Sequence, residues 1–119
     1  MKTLQETFDK IVDHLRKQNS KSLMEAPRDD SCAYRGQDGK MCAVGCLIED
    51  EFYDPSLEEN IVSNPKVRNA LRNSGYDIDG AFLKLMVSMQ ECHDLKAVKD
   101  WESSFCIIAN DHNLELKPL

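Results

Sequence analysis

Three of the five cysteines lie within one short segment and offer sulfur ligands or nucleophiles. Cys42 and Cys46 are four residues apart, so they would share a face if they lay on a helix. Cys32 would lie across a tight turn from Cys42, and either His93 or Cys92 would supply a fourth donor. Zinc takes four such donors in tetrahedral geometry. The C-x3-C spacing differs from the common C-x2-C zinc knuckle, so buried thiols that fill a small core are the competing interpretation.

Catalysis by one of these thiols would need an activating base or a helix N-terminus beside it. The three histidines are all remote in sequence from the cysteine pair, and the chain contains no G-x-S-x-G, H-E-x-x-H or phosphate-loop motif. We therefore expect a protein without catalytic residues. The alternative is a zinc- or thiol-dependent small protein or enzyme, centred on Cys32, Cys42 and Cys46.

A run of acidic residues follows the cysteines, and no lysine or arginine occurs between Met41 and Asn64. This acidic segment, residues 49–59, would meet a basic partner, imitate nucleic-acid phosphates or bind a hard cation, although it lacks the twelve-residue calcium loop. The simpler interpretation is a solvated face. Aromatic residues among the acids suit a contact patch, and they would equally anchor the segment to the core. The predicted partner-binding residues are Glu49, Asp50, Glu51, Phe52, Tyr53, Asp54 and Glu58.

Composition limits the classes of function that remain. A chain of 119 residues is long enough for one domain, and 41% hydrophobic with 30% charged residues is typical of a globular protein. The net charge of −6 repels phosphate backbones, so no direct binding of nucleic acid is expected. The apolar runs are too short for a bilayer, and the N-terminal stretch is unlike a signal peptide, so no membrane contact and a cytoplasmic location are expected. Free thiols suit that compartment, and no cofactor is expected unless the cysteines bind zinc.

Four amphipathic stripes predict the helices that would position these residues. Thr3 and Glu6 form a capping box before the first stripe. Asn64 followed by proline begins the second, and either Asp77 or Asp79 would cap the third. The fourth runs from about residue 98 to residue 110, and the tail at residues 115–119 is expected to be loose in a single domain of residues 1–119. The apolar positions of the stripes are Leu4, Phe8, Ile11, Val12, Leu15, Val67, Ala70, Leu71, Phe82, Leu85, Met86, Met89, Val98, Trp101, Phe105, Ile108 and Ala109.

A tight turn at Asp38 and Gly39 predicts a small β-hairpin over residues 31–43, because Asp-Gly readily takes positive φ. Arg35 would pair with Asp38 or with the acidic segment, which favours a structural role. Gly45 would permit a close backbone approach after the hairpin. The sequence therefore predicts an α+β domain that is mostly helical, with about four helices and one small β-hairpin.

The same stretch carries a recognisable pattern, Y-R-x-x-D-G-x-x-C-A-x-G-C-L-I, from Tyr34 to Ile48. It resembles a family of small uncharacterised proteins of tailed bacteriophages, in which an acidic stretch follows the pattern. The family commonly has a proline where this chain has Glu49. The resemblance covers about a quarter of the chain and implies a phage-type accessory protein in the host cytoplasm, one that binds and modulates a host protein in host takeover or anti-defence. It implies no particular reaction.

Overall fold

A computed structural model describes residues 2–28 and 31–119, and these contain four α-helices. Each helix lies where an apolar stripe predicts one, and none of the described helices is both long and apolar enough to cross a bilayer. The helices are α1 (Leu4–Gln18), α2 (Pro65–Asn73), α3 (Gly80–Leu95) and α4 (Trp101–Asp111).

The helices begin at the residues whose side chains satisfy the first backbone N–H groups. Thr3 and Glu6 form the predicted capping box at α1. Asn64 accepts from Lys66 N at the start of α2, and Asp79, not Asp77, accepts from Phe82 N at the start of α3. These caps confirm the starts of α1, α2 and α3 that the sequence predicts.

The core forms where α3 packs against α1 and α4. Each large apolar side chain that is fully buried there stabilises the folded state by roughly 1.5–3 kcal/mol relative to an exposed one. A bidentate ion pair between Arg16 and Glu102, with N···O distances of 2.7 and 2.8 Å, joins α1 to α4 at the surface. The largest fully buried apolar side chains of the helices are Phe8, Ile11, Leu15, Leu71, Leu85, Met86, Met89 and Phe105.

The predicted α+β fold is wrong, because the described part of the chain is all-α and contains no β-strand. Where the hairpin was expected, only two isolated bridges form, between Leu23 and Cys32 and between Arg35 and Met41. The turn between the expected strands is a 3-10 turn, Gln37–Gly39, with φ of +58° at Asp38 and +73° at Gly39.

Side-chain competition for backbone groups explains why the hairpin does not extend. The backbone N–H groups of Tyr34 and Arg35 both donate to the Glu58 carboxylate, so a neighbouring strand cannot accept from them. The returning chain then bends into a 3-10 turn, Gly45–Leu47. A Cβ at Gly45 would overlap the Tyr34 carbonyl oxygen, so this close approach requires glycine.

The C-terminal residues, expected to be loose, lie against α1. Gln5 and Glu115 exchange two hydrogen bonds, of 2.8 and 2.9 Å, between the Gln5 amide and the Glu115 backbone. Lys117 Nζ lies 3.3 Å from Asp9 Oδ2. Leu114 and Leu116 are partly buried against the core, so the tail contributes apolar contacts as well.

Candidate functional site

An open groove with a volume of about 370 Å³ lies beside α3. Its helical wall consists of residues spaced at i, i+3, i+4, i+7 and i+8, which is one face of a helix. These residues are Val87, Gln90, Glu91, Asp94 and Leu95. They lie on the side of α3 that the core does not cover.

Residues 58–62 form the opposite wall of the groove, and residues 32–34 with Cys42 form its floor. The wall is attached to the floor by hydrogen bonds. The Tyr34 hydroxyl donates to the Asn60 carbonyl at 2.5 Å, and Glu58 Oε1 accepts from Tyr34 N at 2.8 Å. Hydrogen bonds therefore join the wall of the groove to its floor.

Apolar side chains along the groove are left in solvent. Ile61 is 73% exposed, Leu95 75% and Val87 45%, although each lies beside buried core residues. Single exposed apolar residues are common, but three around one groove of this volume are typical of a binding surface.

The charged side chains that line the groove are all acidic: Glu58, Glu59, Glu91 and Asp94. Glu59 forms an ion pair with Arg28, and Glu58 is bound to backbone N–H groups. Among the described lining residues there is no lysine or arginine, so the groove combines negative potential with apolar contact.

Asp94 is the most constrained of these carboxylates, and its side chain is 32% exposed. Its Oδ1 accepts from Gln90 Nε2 at 2.8 Å and lies 2.7 Å from His93 Nδ1. The backbone N–H of Ser22 donates to His93 Nε2 at 3.0 Å, so that nitrogen carries no proton and Nδ1 must donate to Asp94. His93 is fully buried and stacks on Trp101, with ring centroids 5.7 Å apart.

The structure brings together only part of the predicted metal set. Donor atoms of Cys32, His93 and Asp94 lie within 4.8 Å of one another, and these residue types suit zinc. Both ring nitrogens of His93 are already in hydrogen bonds, so coordination would require the Ser22 or Asp94 bond to break. Burial, followed by the nearby Asp94 charge, raises the pKa of the Cys32 thiol to about 11. A metal would have to displace that proton.

Cys42 and Cys46 lie outside this cluster and serve the fold. Gly45 N donates to Cys42 Sγ at 3.3 Å, and Cys46 Sγ donates to the Ala43 carbonyl at 3.1 Å. Burial raises the pKa of both thiols, that of Cys46 to about 12. Neither thiol has the lowered pKa that a nucleophile needs.

The acidic segment divides into outward and internally bonded residues. Glu49, Asp50, Glu51 and Asp54 are exposed, although Asp50 pairs with Arg35 and Asp54 accepts from Ser56 N.

Three other side chains of the segment contact the rest of the chain: Phe52, Tyr53 and Glu58. Glu58 Oε2 accepts from the Tyr53 hydroxyl at 2.6 Å and from Arg35 N at 3.1 Å. The Arg35 guanidinium also lies 5.0 Å from the Tyr53 ring centroid, and Phe52 packs against the core. Arg35 therefore has the structural role that the sequence indicates.

Sequence reasoning missed the groove. Asp94, Val87 and Leu95 lie outside the apolar stripe that predicts α3, so that stripe does not indicate them. The available signal was the apolar pair Val87 and Leu95, eight residues apart on the polar side of an amphipathic helix. Ile61 carried no pattern at all, because it lies in a loop.

Comparisons with protein-family models, curated proteins and solved structures find no significant match to the chain.

Proposed function

We propose that this protein is a non-enzymatic binding protein, which takes up a basic, amphipathic segment of a partner protein in the groove beside α3. The supporting observation is the combination of exposed Ile61, Val87 and Leu95 with a lining whose charged residues are all acidic. Apolar contact supplies most of the affinity at such surfaces, whereas complementary charge selects the partner and speeds its arrival.

The outward acids Glu49, Glu51 and Asp54 add to this proposal as steering charges. They lie on the segment that leads into the groove wall at Glu58. Exposed charges act within about 10 Å at 0.1 M salt, so they raise the association rate more than the affinity. The resemblance to phage accessory proteins adds a host protein as the partner, bound and modulated in the host cytoplasm.

The thiols favour binding over catalysis. Burial raises the pKa of the groove thiol Cys32, and His93, the histidine beside it, is engaged through both ring nitrogens. A carboxylate and an apolar wall remain as the chemically available groups, and they suit recognition.

The experiment compares two variants of the groove with one control variant elsewhere on the surface. The tagged protein isolates partners from host lysate, and each purified partner is then titrated against the wild type, Ile61→Ser and Leu95→Ser. The control is Ile107→Ser, because Ile107 is a similarly exposed apolar residue on α4 outside the groove. We expect at least about tenfold weaker binding for the groove variants, as for the loss of an apolar anchor, and no change for the control. Equal affinities in all four proteins would contradict the proposal.

A zinc-dependent protein is the second candidate, favoured by the cluster of Cys32, His93 and Asp94. Zinc would replace the Cys32 proton and release the His93 ring from one hydrogen bond. Elemental analysis of protein purified without chelators tests this candidate. Stoichiometric zinc that is lost in Cys32→Ser but kept in Cys106→Ser would support it, and metal-free protein that still binds its partner would favour the groove alone.

A further inference from the structure

The Asp94 carboxylate is held in one orientation by its neighbours. Two donors, Gln90 Nε2 and His93 Nδ1, bind its Oδ1, and His93 is itself fixed by the buried bond from Ser22 N. The other oxygen, Oδ2, accepts no N–H donor within the described part of the chain, and the nearby Cys32 thiol is only a weak donor. A carboxylate ordered in advance loses little entropy when it binds a cation.

This hydrogen bonding favours an ammonium over a guanidinium. A guanidinium binds a carboxylate best through two parallel N–H···O bonds, which require both oxygens. Asp94 Oδ1 already accepts two hydrogen bonds, so one oxygen remains. The compact ammonium of lysine needs only that one.

The groove offers apolar surface to an aliphatic side chain that reaches Asp94. Val87 and Asp94 are seven residues apart on α3, which corresponds to about 10 Å along the helix axis. Lysine methylenes pack along apolar surfaces while the charged end stays in contact with water. Ile61 and Val87 supply that apolar surface, and the partial exposure of Asp94 keeps its carboxylate accessible to solvent.

Lys21 is the described cation bound most directly to Asp94. Its Nζ donates to the Asp94 backbone carbonyl at 3.1 Å, and Lys21 does not line the groove. It therefore weakens the negative potential at Asp94 without occupying the lysine position.

We infer that the groove holds one lysine side chain of its partner, with the ammonium against Asp94 and the methylenes along Val87 and Ile61. This inference rests on the proposed function and names the group that the groove recognises. The partner is thereby expected to present a lysine beside apolar residues, and arginine at that position is expected to bind less well.

Amide NMR spectra of the full chain test the inference with three defined probes. These are the N-acetyl N-methylamides of lysine, norleucine and arginine, of which norleucine keeps the methylenes and lacks the charge. We expect the lysine probe to shift signals of residues 87–95 saturably and to bind at least about threefold tighter than either other probe. Asp94→Asn keeps Oδ1 as an acceptor and removes the charge, so it should abolish that preference. Asp111→Asn removes an equal charge from an exposed position of α4 outside the groove, so it should leave that preference unchanged.

Val87→Trp supplies a second test, because it fills the groove at a half-exposed position without touching Asp94's hydrogen bonds. It should block the lysine probe, and this expectation stands if Asp94→Asn fails to fold. Equal binding of lysine and norleucine, tighter binding of arginine, or no response at residues 87–95 would each overturn the inference. If the partner's affinity still falls in Ile61→Ser, the proposed function survives that result. If Ile61→Ser also leaves the partner's affinity unchanged, the inference and the proposed function both fail.

Discussion

The acidic segment and the groove both combine carboxylates with apolar side chains, but they use them in opposite ways. In the segment, Glu58 accepts from two backbone N–H groups, and Tyr53 and Phe52 are held against the protein. In the groove, Ile61 and Leu95 remain in solvent and Asp94 keeps one oxygen without an N–H donor from the described residues. Acids beside aromatics therefore indicate a partner surface only where the local backbone does not already bind them.

The two regions should therefore respond differently to substitution. Changes at internally bonded positions should lower the free energy of unfolding, because those groups hold the chain in place. Changes in the groove should lower the affinity for a partner and leave the free energy of unfolding unchanged.

Among substitutions outside the helices, Gly45→Ala should give the largest loss of stability. The new Cβ would overlap the Tyr34 carbonyl oxygen, so the backbone that leads into the acidic segment would have to shift. Overpacking of this kind costs about 1–3 kcal/mol, and a backbone clash lies at the upper end. Urea unfolding measures the change. Gly80→Ala is the matched control, because nothing lies within 4 Å of its Cβ position. Equal midpoints for the two variants would show that Tyr34 and Gly45 are not in close contact.

Glu58→Gln should cost about 2 kcal/mol, because a charge-assisted acceptor of three donors is replaced by a neutral amide with one oxygen. Glu51→Gln removes the same charge from an exposed position and should change the free energy of unfolding by less than about 0.5 kcal/mol. Chemical denaturation of both variants checks this pair. If Glu58→Gln is as stable as the control, Glu58 belongs with the outward acids and the division of the acidic segment fails.

The helices could be predicted because their signals are local. Thr3, Asn64 and Asp79 cap the backbone within three residues of their own positions, so spacing alone identifies them. The hairpin prediction failed for the opposite reason. Glu58 lies more than twenty residues from Tyr34 and Arg35, yet it takes the N–H groups that a strand would need.

The groove shows the same limit. Val87 and Leu95 signal an exposed apolar face on α3, but the opposite wall at residues 58–62 is distant in sequence. The predicted zinc ligands include Cys32 and His93 but not Asp94, which lies beside both. Side chains that meet through tertiary packing leave no spacing for a sequence pattern to reveal.

Buried thiols should make stability fall at alkaline pH, and the effect of each thiol should be smaller than that of Glu58→Gln. Burial raises the folded-state pKa of Cys32 and Cys92 to about 11 from an ordinary 9.0. Below pH 9 the thiols keep their protons in both the folded and the unfolded state, so the free energy of unfolding has its full value. Above pH 9 the unfolded state ionises first, so stability is lost until the pH reaches about 11. Each thiol changes the free energy of unfolding by at most about 1.4 kcal/mol per pH unit, and partial exposure reduces this value.

Unfolding midpoints at several pH values measure this loss, and Cys106→Ser should leave the slope unchanged because Cys106 is exposed. A thiol reagent should label Cys106 first and the other four cysteines only slowly until the protein is denatured. Rapid labelling of Cys32 in the native protein would show that the groove floor is open and its thiol reactive, which would favour the thiol-dependent alternative.

The smallest expected effect on stability comes from the groove itself. Leu95→Ser and Ile61→Ser should each change the free energy of unfolding by less than about 0.5 kcal/mol, because both side chains are already mostly in water. Leu85→Ala, at a fully buried position of the same helix, should cost about 2–5 kcal/mol and shows that the assay detects lost packing. Thermal and urea unfolding of the three variants provide the measurement. If Leu95→Ser costs as much as Leu85→Ala, Leu95 is packed in solution and the groove is closed. The two regions would then both serve the fold, and the contrast between them would not hold.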